Sequence, residues 1–325
     1  MKAKFSKLNF CISALLFLAL ALGLAMPMQT VRAATSVYVD NATGGCNDSI
    51  GSPYYCTIQA AVTAVDPGGT VNVAAGTYDE QVVITKSLTL QGAGDTTIVQ
   101  PSSAATLTTV LSGIFSAPGT IQIAGIVVAN VAGGASVTIK NLKVDGNNVT
   151  TQPANAPRVA GIFYRETGGT VDTVTVTNMT IGATGIAVRG YGAYLSAGTN
   201  TVSVEIKNST FTNYDKNGID AHGNKLTANI HHNVITGRGP LGAGDEVQNG
   251  VLIMDGTVGT VNNNTISNMA YTPLTWKSRG IMFYDNGGTA NGNTVTDCQV
   301  GIDFADGNAI AENNIINGGT VGDRG

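Results

Sequence analysis

A glycine followed by a β-branched aliphatic recurs through the second half of this chain, and that recurrence limits the fold more than any other feature. The copies begin at Gly161, Gly185, Gly218, Gly250, Gly280 and Gly301, at intervals from the low twenties to the low thirties. Each unit also carries a second segment with an asparagine ahead of an apolar residue, at 176–181, 206–211, 230–235, 261–266, 290–295 and 311–316; an earlier copy lies at 139–144. These segments alternate with period two and are too short for helices. Residues one and three after the glycine are mostly apolar, as in Ile162 and Tyr164 or Val251 and Ile253, and should face inward, with residues two and four facing out.

A parallel β-solenoid accounts for the whole pattern. Coils would stack about 4.8 Å apart, with equivalent side chains aligned in ladders. A β-propeller does not fit, because its blades run to about 40 residues. The asparagines have a structural task in such a solenoid: stacked at a bend, their amides bond from coil to coil, and they accept the left-handed backbone that the bend needs.

Composition agrees. Charged residues make up 12% of the chain, about half the ~25% usual for soluble proteins, while 43% are apolar and 42 are glycine. That is enough apolar material for a core, so disorder is excluded. A net charge of −4 argues against a nucleic-acid binder, which would carry a basic face.

The first residues address the chain. Lys2, Lys4 and Lys7 precede an apolar run over 8–25, and Val31-Arg32-Ala33 offers small or aliphatic residues at the two positions a signal peptidase reads. Residues 1–33 thus read as a secretory signal peptide cleaved after Ala33. The alternative is an uncleaved anchor, since about 20 apolar residues span a bilayer. No second apolar span follows, so the cleaved chain is expected to be secreted or surface-attached, without a membrane span, and monomeric. Cys46 and Cys56 bracket a short loop in an exported protein, which predicts a disulfide. Cys298 lies in an apolar strand context and reads as a small buried residue. The expected organisation is residues 1–33 signal peptide, 34–56 an N-terminal segment with the disulfide, and 57–325 one β-helix domain.

Residues 56–99 add a specific resemblance. Ile58, Ala61, Val62 and Val65 form a helical apolar face that Pro67-Gly68-Gly69 ends, and Gly76-Thr77-Tyr78, Glu80, Lys86 and Gly92 follow at set positions. This stretch resembles the opening of pectin-lyase-like β-helix proteins, and the later units are similar to their generic parallel β-helix repeat. The resemblance covers most of residues 56–317. It implies an all-β, single-stranded right-handed parallel β-helix with a short N-terminal capping helix. A cap would shield apolar core and unpaired strand edges at the open end. The superfamily includes lyases, esterases and hydrolases of acidic polysaccharides, and also binding or surface proteins without catalysis.

Ladder logic nominates the chemistry. The position four after each repeat glycine reads Arg165, Arg189, His222, Met254, Tyr284 and Ala305. Cleaving a polyuronate by lysis needs a cation or arginine on the sugar carboxylate and a base for the neighbouring proton. Arg165, Arg189 and His222 would fill those roles, with Asp220 orienting His222 or recruiting a cation. Lys216, Met254 and Tyr284 would bind substrate, the last two as an apolar platform for sugar rings. The competing reading is a solvated strand face, since a solenoid makes columns from any sequence.

One residue later, Asp255, Asp285 and Asp306 align as candidate ligands for Ca²⁺, a hard cation. Their dipeptides, Asp255-Gly256, Asp285-Asn286 and Asp306-Gly307, are equally ordinary turn chemistry. His231-His232 resembles a metal-ligand pair, but strand neighbours point to opposite faces. The paired carboxylates of a hydrolase are missing, because Asp220 and Asp303 fall three coils apart, about 14 Å. The esterase motifs are missing too, the lone Trp276 sitting in TWKSR. Insertions at 191–201, 237–248 and 269–279 would wall a groove, the second bringing Arg238, Asp245 and Glu246 to a rim. Two function classes stand: a protein that binds or cleaves an acidic polysaccharide by a pectate-lyase type of chemistry, and a non-catalytic adhesion or structural module.

Overall fold

A computed structural model describes residues 35–116, 118–147, 149–181, 189–272, 276–285, 287–305 and 308–318. The signal-peptide reading over 1–33 and the candidate ligand Asp306 lie outside the described residues. The chain winds through a 17-stranded and a 9-stranded sheet. From Val202 on, each coil contributes three strands, and each strand pairs in parallel with its counterpart one coil later. Strand Asn217–His222 pairs with Asn249–Met254, that strand with Arg279–Tyr284, and that with Val300–Ala305. The larger sheet carries the other two strands of each coil. Among the described residues the one antiparallel pair of strands is the hairpin Val110–Ile114 with Thr120–Ala129.

The core runs along the solenoid as ladders of aliphatic side chains. Leu90, Ile139, Val171, Ile206, Ile230, Val261 and Ala290 stand in register through successive coils, all fully buried. Opposite them stand Val127, Ile162, Ala193, Ile219, Val251 and Ile281. Each buried Val, Leu or Ile contributes about 1.5–3 kcal/mol. Residues one and three after the repeat glycine face inward as the alternation predicts.

The repeat glycine answers to crowding. A Cβ on Gly192, Gly218, Gly250 or Gly280 would come closer than 3.0 Å to the carbonyl oxygen of the next coil's glycine and to a core side chain of the facing sheet. No side chain fits there without pushing the sheets apart.

The bend between the two strands of the larger sheet divides between two neighbouring residues the two tasks predicted for one asparagine. Asn208, His232, Asn263 and Asn313 take the left-handed backbone, at φ of 50–56°. The residue after each is the one that stacks. Asn233 Nδ2 donates to Asn264 Oδ1 at 3.0 Å, Asn264 Nδ2 to Asn293 Oδ1 at 3.0 Å, and Asn293 Nδ2 to Asn314 Oδ1 at 2.9 Å. The same Oδ1 atoms accept the preceding coil's backbone N–H, and the amides also donate to Ile206, Ile230, Val261 and Ala290 carbonyls. The ladder satisfies every polar atom it buries.

Helix Ile58–Ala64, the one α-helix among the described residues, buries Ile58, Ala61 and Val62 and touches strands Ser36–Val39, Thr70–Val73 and Val82–Ile84. Thr57 caps it, and the Glu80 carboxylate accepts from the N–H groups of Ile58 and Gln59 at 2.7 and 2.8 Å. Lys86 Nζ donates to the Thr63 carbonyl in its last turn. Of the motif residues of 76–92, Glu80 and Lys86 are thus helix-fastening groups. The Cys46–Cys56 disulfide is formed, and Cys298 is buried with its Sγ donating to the Thr296 carbonyl at 3.3 Å. No helix among the described residues is long and apolar enough to cross a membrane.

Candidate functional site

The outward face of the nine-stranded sheet holds a buried titratable cluster. In strand Asn217–His222, Asp220 and His222 alternate away from the core and Asn217 bonds to Asp220 across Gly218, yet all three are buried. They are joined in one line of hydrogen bonds. Asn249 Nδ2 donates to Asn217 Oδ1 and Asn217 Nδ2 to Asp220 Oδ2, both at 2.9 Å. Asp220 Oδ1 meets His222 Nε2 at 2.8 Å, and His222 Nδ1 meets Asp255 Oδ2 at 2.7 Å. The line begins on an atom with no hydrogen-bond partner among the described residues, the buried Oδ1 of Asn249.

Burial alone would drive the pKa of His222 down, but Asp220 and Asp255 outweigh it and raise the value to about 9. At neutral pH His222 is therefore an imidazolium giving both N–H groups to carboxylates. It is a charge held in place, with no lone pair to act as a base.

The hairpin covers the His222 end of this line. It lies over the sheet and closes a second apolar cluster of Ile123, Val128, Ala160, Phe163, Tyr191 and Tyr194. Three polar contacts fasten it: Arg165 Nε donates to the Ser112 carbonyl at 2.8 Å, Ile114 N–H to Ser196 Oγ at 2.8 Å, and the Tyr194 hydroxyl to the Ile114 carbonyl at 2.5 Å. At its tip Phe115 comes within 6.2 Å of the His222 ring and lies under the Arg158 guanidinium at 5.3 Å. Arg158 has no carboxylate partner among the described residues, and its buried Nε has no acceptor. The Tyr191 hydroxyl makes no hydrogen bond among the described residues, and burial raises its pKa.

The expected site residues fall in three places. His222 and Asp220 are joined, with Met254 and Tyr284 in the same column one and two coils on. Arg189 does not stand in that column. Register pairs it with Arg158, and the position beside Arg165 and His222 is Ser196. The glycine that stands in the column in that coil is Gly192, and Gly185 lies outside the described residues. Gly192 meets the tight contact that defines the column, a constraint that a Gly-Ile dipeptide alone does not report. Arg189 instead pairs with Glu246 at 2.6 Å, and Lys216 reaches the same carboxylate at 3.5 Å. Arg165 holds the hairpin.

The aspartates expected to bind Ca²⁺ are turn residues where they are described: Asp255 and Asp285 lie at φ 59 and 55°. The Asp255 carboxylate is engaged by His222, and among the described residues no group of three or more His, Cys, Asp or Glu is arranged to hold a metal ion. The opposite-faces expectation for His231 and His232 is overturned. His232 is the left-handed residue of its coil, and the Nδ1 atoms of the two rings face each other at 2.9 Å.

Sequence reasoning missed Asn217, Asn249, Arg158 and Tyr191. The first two were readable, since an asparagine stands directly before the repeat glycine in two successive coils, Asn217-Gly218 and Asn249-Gly250. An open depression of about 500 Å³ lies elsewhere, beside helix Ile58–Ala64. Gln59, Glu80 and Gln81 line it with side chains bonded to backbone, beside Asp79 and three threonines.

A solenoid with a buried acid–imidazolium line on one outer face belongs to the parallel β-helices. More particularly, this chain belongs to the family described as right handed beta helix region, whose profile matches residues 124–323. No curated protein sequence matches it. In fold it is similar to pectin methylesterase PemA from Erwinia chrysanthemi, at TM-score 0.52 and 10% identity over 88% of this chain and 90% of that one. The pectin methylesterase of Aspergillus niger is similar at TM-score 0.50 and 14% identity over 85% and 86%. At such identity the likeness speaks to the fold, and activity has to come from the site.

Proposed function

We propose that this chain is a secreted protein that binds an acidic polysaccharide along the outer face of the nine-stranded sheet. The observation that carries the reading is the buried line from Asn249 to Asp255 next to Arg158, a guanidinium with no carboxylate partner among the described residues. Outward positions of a solenoid are ordinarily solvated, and burying charges there is costly unless they are fully bonded. Arg158 would meet a sugar carboxylate, and Met254 and Tyr284 would lie under a ring. Helix Ile58–Ala64 serves as the N-terminal cap in this reading, and the Cys46–Cys56 disulfide suits an exported chain.

A second reading, lysis of the bound chain, is favoured by one observation. The Tyr191 hydroxyl makes no hydrogen bond among the described residues and lies close enough to Asp220, Arg158 and Arg189 to feel their charges. With His222 protonated, the Tyr191 phenol, which burial keeps protonated at neutral pH, would serve as a proton donor to the leaving sugar oxygen.

The test is retention of the secreted protein on pectate, alginate and a neutral glucan, with and without Ca²⁺, while ultraviolet absorbance follows unsaturated sugar ends. Retention on a polyuronate and not on the glucan supports binding. Rising absorbance that Tyr191→Phe abolishes supports lysis. Folded protein that neither polyuronate retains overturns both.

A further inference from the structure

His231 and His232 are adjacent in sequence, and regular strand geometry would separate their side chains. The left-handed backbone at His232 (φ 56°) swings its ring to the side His231 occupies, and the rings meet edge to face with centroids 5.1 Å apart. The contact joins like atoms, Nδ1 to Nδ1, at 2.9 Å. On the far side of the His231 ring, Nε2 faces Glu205 Oε1 at 3.1 Å. A carboxylate only accepts, so the proton sits on Nε2 and the Nδ1 of a neutral His231 offers its lone pair. Glu205 is itself fixed by Lys207 at 2.7 Å. A carboxylate behind an imidazole is the arrangement that sets the tautomer of a metal-binding histidine. One coil on, Asn262 stands in register with His231, and its Oδ1 is buried with no hydrogen-bond partner among the described residues.

We propose that His231 Nδ1, His232 Nδ1 and Asn262 Oδ1 form a binding site for a divalent transition-metal ion of tetragonal preference, Cu²⁺ or Ni²⁺. Three considerations select the class. Imidazole nitrogens favour first-row transition metals over Ca²⁺ or Mg²⁺, which take oxygen. Two nitrogens each about 2.0–2.1 Å from one metal stand about 2.9 Å apart at a right angle and about 3.4 Å apart at the tetrahedral angle, so the observed spacing suits a square arrangement better than a zinc site. His232 is exposed and His231 partly so, which leaves the remaining positions to water. Without metal, one Nδ1–H donates to the other Nδ1. The metal takes that proton's place, and the proton moves to Nε2 of the same ring.

The chain has three histidines, so imidazole signals can be assigned by single substitution. The experiment titrates the full secreted protein with CuSO₄ and NiCl₂ by calorimetry, beside His231→Gln, His232→Asn and Asn262→Ala. His232→Asn keeps the bend, because asparagine holds that position in the coils of Asn208, Asn263 and Asn313. Thermal melts without metal check that each variant is folded. The expected result is one equivalent of Cu²⁺, with broadening of the His231 and His232 imidazole signals and not of His222. Affinity should fall about a hundredfold in either histidine variant and about tenfold in Asn262→Ala. No saturable uptake of either metal, or uptake unchanged in both histidine variants, would overturn the site.

Discussion

The imidazole of His222 lies flat on the phenol of Tyr194, ring centroids 5.0 Å apart and planes within 6°. The stack fixes the plane in which the two His222 N–H groups point, one to Asp220 and one to Asp255. The same tyrosine holds the hairpin through the Ile114 carbonyl. Hairpin, aromatic stack and ion line therefore form one unit on the outer face of the sheet, and disturbing any of them should be felt by the others.

The protonation of His222 is expected to set the alkaline limit of stability. Its folded pKa of about 9 lies above the ~6.5 of an unfolded histidine, so folding binds a proton between those values. The contribution is complete below about pH 6.5 and disappears as pH rises through about 9, amounting to about 3 kcal/mol at most. Melting temperatures measured from pH 6 to 10 should fall across that window, and His222→Gln should melt lower at pH 7 with a flatter profile. Equal slopes for the two proteins would show that His222 titrates normally.

Gly250→Ala is expected to destabilise strongly although it adds one methyl group. Its Cβ would meet the Gly280 carbonyl oxygen and the Ile266 side chain at the same time, and neither backbone nor packed core gives way easily. The cost should be about 3 kcal/mol or more by urea unfolding, whereas Gly45→Ala, with open space around it, should change stability by less than about 0.5 kcal/mol. A mild Gly250 variant would mean that the coils are not stacked as closely as the glycine column requires.

How much was legible in the sequence follows from what each signal encodes. Alternation reports which face a residue takes, so Val251 and Ile253 were placed inward from the chain alone. Register between coils is less secure, because loop lengths vary and a Gly-Ile pair occurs at Gly185 as well as a true column glycine at Gly192. That slip of seven residues put Arg189 beside His222. The partners of His222 were half legible: Asp220 is two residues away on the same strand, while Asp255 comes from the turn of the next coil. Arg158 and Phe115 meet only because a hairpin folds back over the sheet. No periodicity announces that, since the hairpin departs from the repeat.

The asparagine ladder is expected to be cooperative in position. Asn264→Ala removes the Oδ1 that accepts from the Asn233 backbone and amide, and the Nδ2 that donates to the Ile230 carbonyl and Asn293. Buried groups on both neighbouring coils lose partners, at about 1–3 kcal/mol for each group left unsatisfied. Asn314→Ala lies in the last described coil, where Ile315 and Ile316 are exposed and water can replace the amide. Chemical denaturation should rank Asn264→Ala well below Asn314→Ala in stability; similar values would mean that the ladder does not act as a chain.

Arg158 and Arg189 should differ in their effect on polyuronate binding, and the difference separates the two arginine roles. Arg189 is neutralised by Glu246 at 2.6 Å, so a passing carboxylate would compete with a bond already made. Arg158 donates to the Pro157 carbonyl, lies on Phe115, and has no carboxylate partner among the described residues. Among the described residues no carboxylate pairs with it next to Tyr191 and the hairpin tip, and a sugar carboxylate would satisfy it. A charge-assisted hydrogen bond is worth about 1.5–3 kcal/mol, roughly a tenfold to hundredfold change in affinity. Arg158→Gln should therefore weaken retention on pectate or alginate by about tenfold or more and reduce its salt dependence. Arg189→Gln should change retention by less than about threefold while lowering the melting temperature through loss of the Glu246 pair. The reverse order would move the anion-binding position one coil along the solenoid, to Arg189.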